Sequence, residues 1–207
     1  MIKERCTIRT DTKANIIETY RMLQASVDAM IHDKKIKVIA FTGLIDGKGK
    51  TKHACNIAIS MAQEGKKILL MDCDIKNPKV HEFFEVSNDN GLTRLKAAAD
   101  YQQAVFKFSE LPTLHVLTSG PKVENPQYTL DTARIEVFLD TIKEAYDLIL
   151  IDAPPAGQVA EGVKLSAAAD GTVLVMAVGK TPVATAVRVK EILDTVKASI
   201  LGVILEK

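Results

Sequence analysis

The sequence predicts a single α/β domain in which helices cover both faces of a mostly parallel sheet. Short continuous runs of Val, Ile and Leu alternate with stretches of helical periodicity, as is typical of strands buried on both faces. A glycine-rich loop joins the first apolar run to a helical stretch. The 207 residues, 47% of them hydrophobic, suffice for one substantial core, so we expect one domain over residues 1–207.

The first elements follow one another regularly. Apolar residues recur at helical spacing from about residue 12 to 32, which predicts an amphipathic helix before the first strand. The apolar run 36–41 predicts a buried strand that ends near the glycine-rich loop. A helix is predicted over 50–64, where Gly65 stops it, and a second buried strand over 66–72.

The alternation resumes after a looser middle section. Residues 75–127 are rich in proline and glycine, and within them 114–117 is predicted to be a strand. There then follow a helix at 132–145, a strand at 147–152, a short helix near 160–168, a strand at 172–178, a helix at 182–197 and a strand at 200–205.

The loop from Gly43 to Thr51 has the composition of a phosphate-binding loop. Its glycines let backbone N–H groups turn towards a polyphosphate, and the following helix N-terminus adds its dipole. Lys50 would reach the β- and γ-phosphates, and the Thr51 hydroxyl would bind Mg²⁺. The predicted nucleotide-binding residues are Gly47, Lys48, Gly49, Lys50, Thr51 and Lys52.

The match is to a loose G-x-G-K-T form, because Leu44 stands where the strict pattern has glycine. The alternative is a glycine-rich turn that enters a helix without any ligand. In that case the chain would be an interaction module that binds no nucleotide.

Carboxylates stand at the ends of two predicted strands and favour the nucleotide interpretation. Asp72 and Asp74 end the strand at 66–72, and Asp152 ends the strand at 147–152. Ligands bind at this edge of open α/β sheets, and Mg²⁺ bound by a P-loop threonine needs carboxylates nearby. One of these acids could also accept the proton of an attacking hydroxyl or water. The alternative is that each merely caps the next helix.

Composition gives expectations for the cysteines, for nucleic-acid binding and for the location of the protein. Cys6, Cys55 and Cys73 are odd in number and widely spaced, which predicts reduced thiols rather than disulfides or a metal site. The net charge of +1 gives no electrostatic case for nucleic acid as a partner. The sequence shows neither a signal peptide nor an apolar run of about 18 residues, so a cytoplasmic protein is expected.

With these motifs in this order, the sequence resembles the bacterial tyrosine kinases of capsule and exopolysaccharide systems. That family has a P-loop NTPase fold with Walker A, A′ and B motifs, and belongs to the wider group of MinD- and ParA-like ATPases. The resemblance covers about residues 14–205, through GKGKTKHACNIAISMAQEGKKILLMDCDIKNPKVHEFF, NGLTRL, LHVLTSGPKVENP, YDLILIDAPP, ADGTVLVMAVGKT and LGVIL.

The resemblance implies a protein-tyrosine kinase that uses ATP with Mg²⁺ and releases ADP. By position, Lys50 is the P-loop lysine and Thr51 supplies the hydroxyl that binds Mg²⁺. Asp72 is similar to the acid that acts as base towards the tyrosine hydroxyl. Asp74 and Asp152 are similar to the acids that hold Mg²⁺.

The resemblance also implies partners. Glu18 and Arg21 fall on the family's E-x-x-R-x-x-R helix, which implies assembly into rings of identical subunits. The family is activated by the cytosolic end of a membrane adaptor, so recruitment to the inner face of the membrane is expected. Its members phosphorylate a tyrosine-rich tail.

Five positions depart from the family pattern. Gln24 replaces the last Arg of the helix motif and lacks its bidentate ionic contact. Lys76 replaces the usual Arg after D-x-D, and Lys52 stands where a second hydroxyl residue is common. Glu206 stands where the family often has an Asn near the base. Ile45 replaces the signature lysine of MinD and ParA, which argues against that branch.

The tyrosines are scattered rather than clustered. They are Tyr20, Tyr101, Tyr128 and Tyr146, and the first and last lie in apolar helical patterns that predict core positions. With no tyrosine cluster before Lys207, either a tail is missing or the substrate is another protein. A nucleotide-driven switch, or a degenerate kinase that acts by docking to a partner, therefore stands as the alternative to an active kinase.

Overall fold

The computed structural model describes residues 21, 22, 24–29, 36–45, 49–95, 97, 100–124 and 132–206, and the side chains of the last range from residue 134. The strands are β1 (Val38–Gly43), β2 (Ile68–Asp72), β3 (Phe106–Phe108), β4 (Leu111–Leu117), β5 (Leu148–Asp152), β6 (Gly171–Ala177) and β7 (Ile200–Glu206). The helices are α1 (Lys50–Gln63), α2 (Val80–Phe84), α3 (Tyr101–Ala104), α4 (Thr132–Ile142), α5 (Ala160–Ala168) and α6 (Val183–Thr195).

All seven strands lie in one sheet, in the order β3-β4-β2-β5-β1-β6-β7. Adjacent strands are parallel except for β3, which is antiparallel to β4. The carboxyl ends of β1, β2 and β5 therefore meet at the centre of one edge, and Asp72 pairs directly with Asp152 there. This is the edge where open parallel sheets bind their ligands.

Helices cover both faces of the sheet, as the sequence predicts. On one face α1 packs on Ile39 and Phe41 of β1. On the other, α4 and α5 pack on alternate residues of the same strand, Val38 and Ala40. A third cluster holds α6 against Leu174 of β6. Burying both faces excludes water from the backbone of the central strands and stabilises the sheet by about 1.5–3 kcal/mol per large apolar side chain.

The prediction of a mostly parallel α/β sheet is confirmed, with differences in detail. The predicted strand at 114–117 begins earlier, at Leu111, and forms a hairpin with β3, which the sequence did not predict. The short helices α2 and α3 lie in the section interpreted as loose. The remaining predicted strands and helices after residue 36 agree within two or three residues at each end.

Several predictions lie outside the described residues, among them those for Cys6, Glu18, Tyr20, Gly47, Lys48 and Tyr128. Cys55 and Cys73 are free thiols, and both are buried. Tyr146 is buried, which confirms its predicted core position, and Tyr101 is buried as well. Among the described helices, none is long and apolar enough to cross a lipid bilayer.

The N-terminal helix lies against the body of its own chain. Residues 21, 22 and 24–29 are helical. The Ser60 hydroxyl of α1 donates a hydrogen bond to the side-chain oxygen of Gln24, which is only 3% exposed. Lys66 forms an ion pair with Asp28 one helical turn further along. Gln24, which stands where the family has its third arginine, therefore points inward. A neutral side chain suits this position because an unpaired buried charge would be costly.

Candidate functional site

The phosphate-loop residues that the structure describes lie at the central edge of the sheet. Gly49 immediately precedes α1, and the helix begins with Lys50 and Thr51. Both side chains are buried, with 7% and 8% of their surfaces exposed, whereas Lys52 is exposed. The amino terminus of α1 thus presents backbone N–H groups at the edge where β1 ends, an arrangement suited to an anion.

Three carboxylates, here called the acid cluster, face this helix terminus: Asp72, Asp74 and Asp152. All three are buried. The ammonium Nζ of Lys50 lies 2.5 Å from Oδ1 of Asp152 and 3.5 Å from Oδ2 of Asp74. The Thr51 hydroxyl donates to the other oxygen of Asp152, at 2.6 Å. The structure therefore brings together the lysine, the threonine and the three acids that the sequence singled out.

Burial and charge act against each other in this cluster. Burial alone lowers the pKa of Lys50, but the carboxylates of Asp152 and Asp74 outweigh it, and the pKa is raised. Burial, followed by the negative charge of Asp152, raises the pKa of Asp72 to about 8. Burial also raises the pKa of Asp74. Three carboxyl groups face one lysine here, and a further cation would favour their ionised forms.

The donor set fits Mg²⁺ when a polyphosphate is present. Hydroxyl and carboxylate oxygens of Thr51, Asp74 and Asp152 are hard ligands of the kind that Mg²⁺ prefers. The Lys50 ammonium stands between two of these acids, where a cation is evidently stabilised. In the part of the chain that the structure describes, no group of three or more His, Cys, Asp or Glu could hold a metal alone. Phosphate oxygens would have to complete the shell, as is usual for Mg²⁺.

Asp72 is engaged differently from the other two acids. One oxygen accepts the backbone N–H of Asp74 at 3.1 Å. The other accepts the N–H groups of Lys79 and Val80, at 3.1 and 3.0 Å. Its side chain is fully buried. Asp72 thus accepts N–H groups at the start of α2, as the helix-capping alternative predicts, and also belongs to the acid cluster.

A shallow cleft opens beside the acid cluster. Asp74 lines it together with the apolar residues Ile75, Pro154 and Val159. Glu161 also lines it and faces the Lys76 ammonium at 4.0 Å. Lys76, predicted as a departure from the usual arginine, thus contacts α5 across the cleft. The cavity volume is only about 10 Å³, enough for one water molecule.

Glu206, which the resemblance placed near the nucleotide base, lies beside the start of α1. Its carboxylate lies so close to Gly49 that a Cβ at that glycine would collide with it. Burial lowers the pKa of His53 in the next turn of α1, and the charge of Glu206 opposes that effect. A negative charge therefore lies beside the helix terminus that would receive phosphate. The shift in register between β6 and β7 that brings it there is not visible in the sequence.

We expect Glu206→Gln to tighten nucleotide binding by about three-fold at low ionic strength, because removing a like charge near the phosphates relieves roughly 0.5–1 kcal/mol of repulsion. The gain should shrink as salt is added. Titration with ADP and Mg²⁺ at two salt concentrations measures it, and Glu64→Gln, at the far end of α1, is the control. Weaker binding by the Glu206 variant would instead indicate a favourable contact between this carboxylate and the nucleotide.

The geometry has close counterparts among known proteins. A family described as "AAA domain" matches residues 36–200. Tyrosine-protein kinase YwqD of Bacillus subtilis is 35% identical over 196 residues, which cover 95% of this chain and 83% of the relative. Tyrosine-protein kinase CpsD of Streptococcus agalactiae is 33% identical over 176 residues, covering 84% and 76%. The crystal structure of the chimerical protein CapA2B2 superposes with a TM-score of 0.84 at 29% identity, covering 94% and 85%.

Proposed function

Because the chain belongs to the bacterial tyrosine-protein kinases built on the P-loop fold, we propose that it uses Mg-ATP to phosphorylate tyrosine and so regulates capsule or exopolysaccharide biosynthesis. One observation carries the proposal on the chemical side. A buried lysine and threonine at the start of α1 converge on the same carboxylate, Asp152, with Asp74 within reach of the lysine. These are the groups that phosphoryl transfer uses around a polyphosphate.

In the nucleotide complex, Lys50 exchanges its contact with Asp152 for the β- and γ-phosphates of ATP. The N–H groups at the start of α1 bind the same phosphates. Mg²⁺, held by Thr51, Asp74 and Asp152 together with phosphate oxygens, would neutralise charge that develops on the transferring group. Once Lys50 has left Asp152, that carboxylate would be free to bind Mg²⁺ in place of the ammonium group.

The acceptor tyrosine would present its hydroxyl to the γ-phosphate beside the acid cluster. The hydroxyl oxygen forms a bond to the γ-phosphorus while the bond from that phosphorus to the β–γ bridging oxygen breaks, so ADP leaves. The hydroxyl proton passes to a carboxylate or to water. Tyr101 and Tyr146 are buried in the core, so the acceptor is neither of these.

Two partners, a membrane adaptor and further copies of this chain, are proposed from the family resemblance. A membrane adaptor whose cytosolic end binds this chain would hold it at the inner face of the membrane. Assembly of identical subunits would use the outer face of the N-terminal helix, where Arg21 is exposed. The inward position of Gln24 removes it from that face, so its difference from arginine does not by itself weaken the assembly.

A nucleotide-driven switch is the second candidate, and the burial of both described tyrosines favours it. In that case the chain would bind and hydrolyse ATP, and its output would be docking to a partner. The phosphate loop and the acid cluster would serve both activities equally well.

The decisive experiment incubates the purified protein with ATP, Mg²⁺ and a tyrosine-containing peptide, and follows phosphotyrosine and ADP separately. We expect both to appear, and both to require Asp152. ADP release without phosphotyrosine, on the protein itself or on any peptide supplied, would favour the switch. If neither product forms and no Mg-ATP binds, the nucleotide interpretation itself fails.

A further inference from the structure

The carboxylate of Asp72 closes the segment that carries Asp74 into a loop. The chain leaves β2 at Asp72, runs through Cys73 to Lys79, and returns its backbone to the Asp72 side chain. A carboxylate has about four acceptor sites, and three of these receive backbone N–H groups here. A single buried side chain therefore fixes both ends of the segment.

Asp74 lies inside this loop, two residues after the side chain that closes it. Its carboxylate lies 3.5 Å from the Lys50 ammonium and also accepts the N–H of Asn77 at 3.3 Å. No covalent link other than the backbone holds the turn between Asp74 and Lys79. If the Asp72 side chain released Lys79 and Val80, the turn could move, and Asp74 would move with it.

We propose that Asp72 is a positioning residue, which holds the loop of residues 73–79 so that Asp74 faces Lys50 and the metal–nucleotide site. The proposal rests on the proposed function in so far as Asp74 serves Mg²⁺ there. It differs from the role implied by the family resemblance, in which Asp72 takes the proton of the acceptor hydroxyl. The full burial of the Asp72 side chain and its three N–H contacts favour positioning.

The two roles differ in what Asn and Ala should do at this position. An Asn side chain can still accept the N–H groups of Lys79 and Val80 through its one oxygen, whereas Ala accepts none. For a positioning residue, Asp72→Asn is therefore milder than Asp72→Ala. For a proton acceptor both changes are equally damaging to phosphoryl transfer, because neither side chain takes the proton, and the Mg²⁺-dependent gain in ADP affinity stays the same in both.

The experiment measures hydrogen exchange of the backbone amides of residues 74, 79 and 80, together with affinity for ADP with and without Mg²⁺. We expect Asp72→Ala to speed exchange of these amides by about ten-fold or more, because each lost bond to a carboxylate is worth roughly 1.5 kcal/mol or more. Asp72→Asn should give a smaller increase. The gain in ADP affinity on adding Mg²⁺ should fall in the same order.

Asp170→Asn is the matched control. Asp170 accepts the backbone N–H groups of Lys37 and Val38, at 2.7 and 2.8 Å, at the start of β1 and away from the acid cluster. It should lower the melting temperature and leave the Mg²⁺-dependent gain in ADP affinity unchanged.

Unchanged exchange and unchanged Mg-ADP affinity in both Asp72 variants, with phosphoryl transfer lost equally, would overturn the proposal. Should the alanine variant fail to fold, the asparagine variant and the wild type still decide: amides of Lys79 and Val80 that exchange freely in the wild type also overturn it. A wild type that binds no Mg-ADP would refute the proposed function, while the exchange data would still report on the loop.

Discussion

Replacing Lys50 with methionine should weaken binding of ADP and ATP at least about 100-fold, because a charge-assisted contact to phosphate and its steering charge are both lost. The same change should destabilise the nucleotide-free protein. Lys50 is the cation between Asp152 and Asp74, and its removal leaves buried carboxylates uncompensated, at a cost of about 3 kcal/mol or more. Calorimetric titration measures the first effect and chemical denaturation the second.

The destabilisation should depend on pH in a defined direction. The pKa values of Asp72 and Asp74 are already raised by burial, and loss of Lys50 raises them further. Groups with raised pKa values in the folded state favour folding at low pH, and that stability is lost as pH rises through the folded pKa. The variant should therefore lose less stability relative to wild type at pH 5 than at pH 8.

Lys190→Met is the control for Lys50→Met. Lys190 forms an exposed ion pair with Asp194 on α6, at 2.5 Å, and such pairs contribute little. We expect wild-type affinity and stability from it. Unchanged nucleotide affinity in the Lys50 variant would show that this lysine does not bind phosphate. The interpretation of the loop as a P-loop would then fail.

The sequence predicted the parts of the fold that depend on local pattern. Strands buried on both faces are continuous apolar runs, and helices on a sheet keep a 3.6-residue period. Each such element can therefore be recognised from its own residues alone. Lys50, Thr51 and Asp152 were found for a related reason. Each stands at the end of such an element, and the carboxyl ends of parallel strands share one edge.

Features that depend on how segments meet were not predictable. β3 is three residues long, too short to show a period, and it forms only because β4 pairs with it. Gln24 belongs to a motif that implies contacts between subunits, yet the rotation of a helix about its axis is set by packing, here against Ser60. The bonds from Asp72 to Lys79 and Val80 join a side chain to backbone seven and eight residues away through an irregular turn.

Glu206 shows how one irregularity redirects a side chain. The register of β7 on β6 shifts between Thr172 and Val173, so that Thr172 pairs with Ile200 but Val173 pairs with Gly202. An extra residue in a strand turns every later side chain to the opposite face. Glu206 therefore lies on the face of α1, beside Gly49, and a sequence-only count would have placed it on the other face.

Asp152→Asn should abolish the gain in nucleotide affinity that Mg²⁺ provides and lower phosphoryl transfer by about 100-fold or more, since even outer-shell changes at metal sites cost 10- to 100-fold. Affinity for ADP without Mg²⁺ should fall far less, because the change also removes a negative charge near the phosphates. The asparagine keeps one oxygen for Lys50 or Thr51, so the two contacts that Asp152 now accepts cannot both persist unchanged.

Asp147→Asn provides the matched control at the opposite edge of the sheet, where Asp147 accepts the backbone N–H of Lys67 at 2.8 Å. It should leave the Mg²⁺ effect intact. The Asp152 variant also distinguishes two roles for this carboxylate, pairing with Lys50 and binding Mg²⁺. If Asp152 served only to pair with Lys50, its loss would weaken ADP binding equally with and without Mg²⁺. A loss confined to the Mg²⁺-dependent part assigns Asp152 to the metal, because only there does its negative charge meet a second cation.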